Sequence, residues 1–165
     1  GELEGVRYEE INYEAYAPHG LAVIIETITD NRNRTVAELR HIITKYNGNL
    51  GESGSVSWMF ERKGVIIVAK ENHTEDELME VILEANADDL IDEGEIFEVI
   101  STVENFEKVR KTLEEKKYKI ENASLQYVAK NKVATDEKTA SDVMKFIEIL
   151  EEHDDVQNVY TNADF

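Results

Sequence analysis

The order of apolar segments between residues 64 and 129 constrains the fold more than any other feature of this sequence. Four segments with the composition and spacing of strands alternate with two amphipathic segments of helical period. In chain order these are a strand at 65–70, a helix at 75–86, strands at 89–92 and 96–101, a helix at 104–117 and a strand at 120–129. The order βαββαβ is that of a split βαβ unit. We therefore predict a ferredoxin-like domain over residues 64–136.

The two flanking segments each contain too few elements for a covered sheet. The first carries strands at 6–16, 21–29 and 56–61 and a helix at 35–46, and the last carries a helix at 140–152 and a strand at 156–161. Thr35 and Glu38 have the spacing of a capping box, and Gly64 is expected to end the strand before it. We predict that residues 1–63 and 137–165 together form one α+β domain. The predicted fold class is α+β, with two domains, the second a ferredoxin-like βαββαβ domain inserted into the first.

The charge of the chain limits what it can bind. Its 36 acidic residues against 18 Lys and Arg give a net charge of −18. A chain this acidic does not, as a whole, attract nucleic acid or an anionic membrane. Residues 71–98 hold twelve of the acids and no Lys or Arg. This stretch is either a solvated outer face of the inserted domain or a docking face for a basic partner.

Motifs of enzymes and metal sites are missing from the sequence. There is no Cys, no HExxH, no GxSxG and no phosphate-binding loop of the GxxxxGK type. The sequence His153-Asp154-Asp155 resembles a metal cluster, but a helix cap followed by a solvated turn explains it better. We predict no catalytic residue, no metal and no cofactor, and an enzyme or metabolite sensor acting in a domain cleft stays as a rival hypothesis. Because neither a membrane-spanning apolar run nor a secretory signal is present, we expect a cytoplasmic protein with no membrane partner.

One short segment has the chemistry of an anion-binding site. The sequence DNRNRT at 30–35 places two arginines and two asparagines at the start of a predicted helix, whose exposed face adds His41 and further cations. Arginine offers paired donors that match phosphate, and asparagine can cap the helix or contact a base edge. The residues that we predict to contact nucleic acid are Asn31, Arg32, Asn33, Arg34, Arg40 and Lys45. In the alternative, one asparagine caps the helix and the arginines pair with the protein's own acids.

Long stretches of the chain resemble the YebC family. The run TDNRNRTVAELRHIITKYNGNLGESGSVSWMFERKGVI at 29–66 carries the resemblance, together with YEAYAPHGLAVIIE at 13–26 and LEEHDDVQNVYTN at 150–162. The family includes probable transcriptional regulators of bacteria and the mitochondrial translational activator of cytochrome oxidase subunit I. The sequence departs from the family pattern at 17–20, where a GPGG-like turn is common, and at 46–48, where CGG is common.

The resemblance implies a role in gene expression and no enzymatic activity. It implies a protein that binds DNA at promoters or that acts in translation on the ribosome and its RNA. It also implies a helical N-terminal domain rich in Lys and Arg, which this chain lacks and which would help to bind nucleic acid. A protein–protein adaptor that acts through the acidic inserted domain is the alternative function.

Overall fold

Residues 7–165 are described by a computed structural model, in which the chain divides into two units. One unit combines the chain up to Glu61 with Val128–Phe165, and the other is Arg62–Tyr127. Both contain helices and a sheet, which confirms the predicted α+β class. That the second unit is a domain inserted into the first stays a prediction. Val6, where the first strand was predicted to begin, lies outside the described residues.

The first unit is a four-stranded antiparallel sheet packed against two helices. With numbering through the whole chain, its elements are β1 (Glu9–Tyr16), β2 (Ala22–Thr29), α1 (Arg32–Lys45), β3 (Asn49–Leu50), β8 (Val133–Ala134), α4 (Glu137–Glu151), β9 (Val156–Thr161) and β10 (Ala163–Asp164). The strand order is β3-β1-β2-β9, and β8 and β10 form a separate parallel pair. Helices α1 and α4 bury Leu39, Ile43, Phe146 and Leu150 against Val23 and Ile25 of β2.

The second unit has the strand order of the predicted ferredoxin-like fold. Its elements are β4 (Phe60–Ala69), α2 (Glu75–Glu84), β5 (Asp89–Asp92), β6 (Ile96–Ser101), α3 (Phe106–Glu115) and β7 (Ile120–Ala129). In the order β5-β6-β4-β7, strand β6 lies between β4 and β5 and runs antiparallel to both, as in a split βαβ unit. Within residues 7–165, no helix combines the length and the apolar composition that crossing a bilayer requires.

The structure corrects three local predictions. Helix α1 begins at Arg32, three residues before the predicted cap at Thr35, because Asn31 caps it instead. Residues 57–59 form a 3₁₀ turn in place of the first part of a strand, although their apolar side chains alternate. Gly64 does not end a strand but lies inside β4, where a side chain would collide with Ser101 and Phe106.

Gly48 follows the C-terminal end of α1, at a point where the chain passes close to β1 and α4. A Cβ atom added there would lie 2.5 Å from the carbonyl oxygen of Tyr16 and 2.7 Å from the ring of Phe146. Because the first of these neighbours is backbone and the second is a buried ring, neither can move away easily. We expect Gly48→Ala to lower the free energy of unfolding by about 1–3 kcal/mol, the usual range for overpacking. Urea denaturation checks this, and the exposed neighbour Asn49→Ala should leave the midpoint unchanged.

Candidate nucleic-acid interface

Asn31 determines where α1 begins. Its side-chain Oδ1 accepts a hydrogen bond from the backbone N–H of Arg34 at 3.1 Å. Its own backbone N–H donates to Oγ1 of Thr29 at 2.9 Å. Asparagine in this position satisfies a helical N–H that has no partner within the helix. In this structure Asn31 is therefore a capping residue, with its acceptor oxygen already used.

Arg34 lies among carboxylates that belong to its own protein. Its Nη2 is 2.6 Å from Oδ2 of Asp155, while Asp30 and Glu38 each lie 3.5 Å from another guanidinium nitrogen. The side chain is 43% exposed. The hydrogen bond to Asp155 is the main cause that raises the pKa of Arg34 above its ordinary value. Arg34 thus joins the first turn of α1 to the segment before β9.

Asp155 connects this arginine to a buried pair of threonines. Its Oδ2 accepts a hydrogen bond from Oγ1 of Thr35 at 2.7 Å, and the hydroxyl oxygens of Thr35 and Thr29 are also 2.7 Å apart. Both threonines are at most 1% exposed. Burial raises the pKa of Asp155, but the hydrogen bonds from Thr35 and Arg34 outweigh burial and leave the pKa below its usual value. Asp155 is therefore an ionised anchor for the beginning of α1.

Arg32 and Asn33 extend from the first turn into solvent. Arg32 is 62% exposed, and its nearest carboxylate is Glu9, whose Oε1 lies 3.7 Å from Nε. An exposed pair at that distance contributes little to stability, so it is easily exchanged for another anion. Asn33 is also exposed. These two residues, unlike Arg34, are not held by a close carboxylate, and they keep donors that an external ligand can reach.

Arg40 and Lys45 lie on the exposed part of α1, on two different sides of it. They are five residues apart, and at about 100° per residue their side chains point in directions about 140° apart around the helix axis. Within residues 7–165, Arg40 has no carboxylate near enough for an ion pair. Lys45 places Nζ 5.5 Å from the ring centre of Tyr46. The two cations are thus accessible, but they cannot contact a single phosphate together.

Among the helices of residues 7–165, only α1 carries a net positive charge. It has four Lys or Arg side chains and one acidic side chain. Helix α2 has five acidic side chains and no basic one. Helix α3 is balanced, with three of each, and α4 has four acids and two lysines. Among the described helices, a net positive charge is therefore found on α1 alone.

One group of side chains has the composition of a metal site. Atoms of Glu38, His153 and Asp155 all lie within 4.8 Å of one another. However, Nδ1 of His153 accepts the backbone N–H of Asp155 at 3.1 Å, and Nε2 lies 3.1 Å from Oε1 of Glu38. Arg34 contacts both carboxylates of the group. Because a guanidinium already neutralises these acids, the geometry favours an ion-pair network over a metal site.

The network at Asp155 was missed by the sequence analysis, which treated His153-Asp154-Asp155 as a solvated turn. Asp154 is indeed exposed, whereas Asp155 is only 14% exposed. Two adjacent aspartates after a helix look alike in sequence. What distinguishes Asp155 is its contact with Arg34, which lies 121 positions away in the chain, and local sequence patterns do not show such a contact.

Comparison with known proteins identifies one family. A family profile described as the second and third domain of TACO1/YebC matches residues 8–163. A protein of Chlorobium luteolum called a probable transcriptional regulatory protein is 53% identical over 165 residues, which are 99% of this chain and 66% of that protein. A protein of Dictyoglomus turgidum with the same name is 50% identical over the same shares.

A solved structure has the same fold. The crystal structure of a conserved hypothetical protein from Aquifex aeolicus matches with a TM-score of 0.89 and 44% identity, covering 99% of this chain and 68% of that chain. The chain thus spans about two thirds of the length of the relatives that it matches.

Proposed function

Since this chain belongs to the TACO1/YebC family, we propose that it is a nucleic-acid-associated regulator of gene expression. Relatives at about half identity are called probable transcriptional regulatory proteins, which supports a regulator. The proposal covers two finer roles, a transcriptional regulator on DNA and a translation factor on ribosomal RNA. We also propose a cytoplasmic location, because bacterial chromosomes and ribosomes are both found there.

The observation that supports this proposal most is the charge of α1. Four of its side chains are cationic, in a protein whose net charge is −18. Phosphate contacts supply most of the sequence-independent affinity for nucleic acid, so a ligand strand would approach along this helix. The proposed contacts are Arg32, Asn33, Arg40 and Lys45. Arg34 and Asn31 have a different part: they hold the first turn in the position from which the other side chains reach out.

The small number of cations on α1 suits a surface that makes one of several contacts with a nucleic acid. With Arg34 paired inside the protein, three cations of α1 are left for a ligand, and three charges against this background cannot hold a duplex firmly. Helix α1 also has few side chains suited to reading base edges. Large RNA–protein particles offer many shallow contacts of this kind. We therefore propose that α1 acts together with a second basic element, either in a segment like the third of its relatives that lies outside the match or in the assembly that it joins.

The acidic helix α2 favours a second candidate function. Its five acids accompany two apolar side chains that reach solvent, Leu83 at 65% and Met79 at 37% exposure. A protein–protein adaptor would use such a surface to bind a basic partner. The two functions separate clearly in a binding experiment, because only one of them depends on the cations of α1.

We expect the triple variant Arg32→Gln/Arg40→Gln/Lys45→Gln to bind single-stranded RNA at least about tenfold more weakly at about 0.1 M salt. For single strands, each lost phosphate contact makes the negative slope of log K against log salt shallower by about 0.7, so the magnitude of the slope should fall by about 2. Fluorescence anisotropy with a labelled oligonucleotide measures both quantities. A duplex DNA probe in the same titration distinguishes the two finer roles.

The matched control removes the same charge from α3 and the residue after it. Lys108→Gln/Lys111→Gln/Lys116→Gln changes exposed side chains and the same number of charges, so its affinity should stay within about twofold of the wild type. If both variants weaken binding equally, the effect is one of net charge and α1 is not the contact surface. If the wild type binds neither probe, the adaptor function is favoured.

A further inference from the structure

A pocket of about 290 Å³ lies in the first unit, between the turn Pro18–Gly20, the end of α1 and the outer face of α4. Its polar walls are formed by Asn47, Lys138, Asp142 and Lys145. Its apolar surface comes from Pro18, Tyr46, Phe146 and Ile149. Small-molecule sites typically begin at about 300 Å³ and combine an apolar lining with a few polar groups. The pocket is thus near the size and composition of a site for one small organic anion.

Two lysines of α4 give this pocket its positive charge. Lys138 and Lys145 are seven residues apart, so they lie on the same side of the helix, two turns from each other. Lys138 is 80% exposed, and Lys145 is exposed too. Within residues 7–165, Lys145 has no carboxylate within ion-pair distance. Lys45, at the end of α1, does not line the pocket, but its Nζ lies 5.5 Å from the ring centre of Tyr46, which does.

Asp142 is the only acid in the pocket wall, and Lys138 lies close enough to offset its charge. Its Oδ2 lies 2.8 Å from Nε2 of His19 and 3.6 Å from Nζ of Lys138. The hydrogen bond with His19 is the main cause that lowers the pKa of Asp142 below its ordinary value. Asp142 therefore does not cancel the field of Lys145, and it holds Lys138 at the rim.

The backbone at two edges of the pocket adopts a conformation that is uncommon for residues with side chains. His19 has φ of 67° and Asn47 has φ of 68°. At Asn47 the left-handed conformation follows from its place at the end of α1, where asparagine is well tolerated. At His19 it follows the only Pro of the chain and turns the ring toward Asp142. Such a conformation is unfavourable for residues with a side chain and is often retained at a binding site.

We propose that this pocket binds the phosphate of a nucleotide, with Lys145 and Lys138 at the phosphate and the apolar wall against the sugar and base. The inference rests on the proposed nucleic-acid binding by α1, and it adds a second contact at the opposite end of that helix. The two sources of such a ligand are a nucleic-acid strand and a free mononucleotide, and we favour the strand because α1 leads to the pocket.

The test follows backbone amide signals of the whole chain by NMR during titration with oligouridine and, separately, with uridine monophosphate. We expect the amides of Asn47, Gly48 and Lys145 to shift with both ligands, while Gly94 in the second unit does not. In parallel, Lys138→Gln/Lys145→Gln should bind oligouridine about tenfold more weakly, with a salt slope shallower by about 1.4. The matched control Lys108→Gln/Lys111→Gln should bind as the wild type does.

The outcomes separate this inference from the proposed function. Shifts with the mononucleotide alone would support the nucleotide site and assign it to a free metabolite. No shift at the pocket with either ligand, or equal affinity of the Lys138/Lys145 variant and its control, would overturn the inference. In that case the α1 variant still reports on the proposed function, because Arg32 and Arg40 lie outside this pocket.

Discussion

Replacing Glu14 by alanine is expected to lower the free energy of unfolding by about 4–5 kcal/mol, the largest single effect that we predict. Glu14 lies on β1 and is only 8% exposed. Its two carboxylate oxygens accept backbone N–H groups of Gly54, Val56 and Ser57 at 2.7, 2.9 and 2.7 Å. Hydrogen bonds to a charged group contribute about 1.5–3 kcal/mol each, and the three are not independent. Alanine would leave these amides without their acceptor.

The measurement is urea denaturation at about pH 7, with Glu10→Ala as its control. Glu10 lies on the same strand and is exposed, so its removal changes the net charge equally without touching the 54–57 loop. We expect the control to stay within about 0.5 kcal/mol of the wild type. Equal destabilisation by both variants would show that the loop does not depend on the carboxylate.

The same carboxylate predicts how stability depends on pH. Burial raises the pKa of Glu14, but the backbone hydrogen bonds from the loop outweigh burial and leave the pKa below 4.5. A group whose pKa is lowered by folding stabilises the protein above its unfolded pKa, and this contribution is lost as pH falls through the folded value. The stability difference between the wild type and Glu14→Gln should therefore be full at neutral pH and shrink below about pH 4.5.

The elements that depend on local patterns could be predicted from the sequence. Thr74 and Glu77 form the capping box expected at the start of α2, because both partners are three residues apart and exposed to solvent. The same spacing at Thr35 and Glu38 gave a wrong cap. There, Asn31 already caps the helix, and the hydroxyl of Thr35 donates to Asp155, which lies in the turn before β9. A short motif predicts a helix start only where its side chains are not engaged in tertiary contacts.

The 3₁₀ turn at Ser57–Met59 has a similar cause. Alternating Val56, Trp58 and Phe60 resemble one face of a strand. The chain turns here because Glu14, about 40 positions earlier, accepts the amides of Val56 and Ser57. In sequence, Glu14 is one of 36 acidic residues and nothing distinguishes it. The periodicity of apolar residues does not identify a residue, such as Glu14, that holds a distant loop.

In the candidate site, too, the local features could be predicted from the sequence and the tertiary contacts could not. Sequence predicted a cationic helix, and α1 carries the expected basic side chains. It could not predict which arginine is exposed, because that depends on a carboxylate more than a hundred positions away. Arg34 meets Asp155, whereas the acid that residues 7–165 place beside Arg32 is the exposed Glu9. The difference between a positioning residue and a contact residue is therefore a tertiary property.

Asp155→Ala is expected to lower the free energy of unfolding by about 3–4 kcal/mol. A hydroxyl has one proton to donate. When Thr35 donates its proton to Asp155, the hydrogen bond between Thr35 and Thr29 must be donated by Thr29. Removing the carboxylate takes the anionic acceptor from the buried hydroxyl of Thr35 and the closest carboxylate from Arg34. Thermal and urea unfolding measure the loss. Asp154→Ala, an exposed neighbour with the same change in charge, should leave stability unchanged.

The conservative variant Asp155→Asn tests what Arg34 does. It keeps the shape of the side chain but removes the charge that holds the guanidinium at 2.6 Å. If Arg34 were a contact residue restrained by Asp155, freeing it would increase affinity for single-stranded RNA beyond that of Asp154→Asn, which adds the same net charge. If Arg34 positions the first turn of α1, affinity will not exceed that of the control. We expect the second result, because α1 presents Arg32 and Asn33 correctly only while Arg34 and Asp155 hold its first turn.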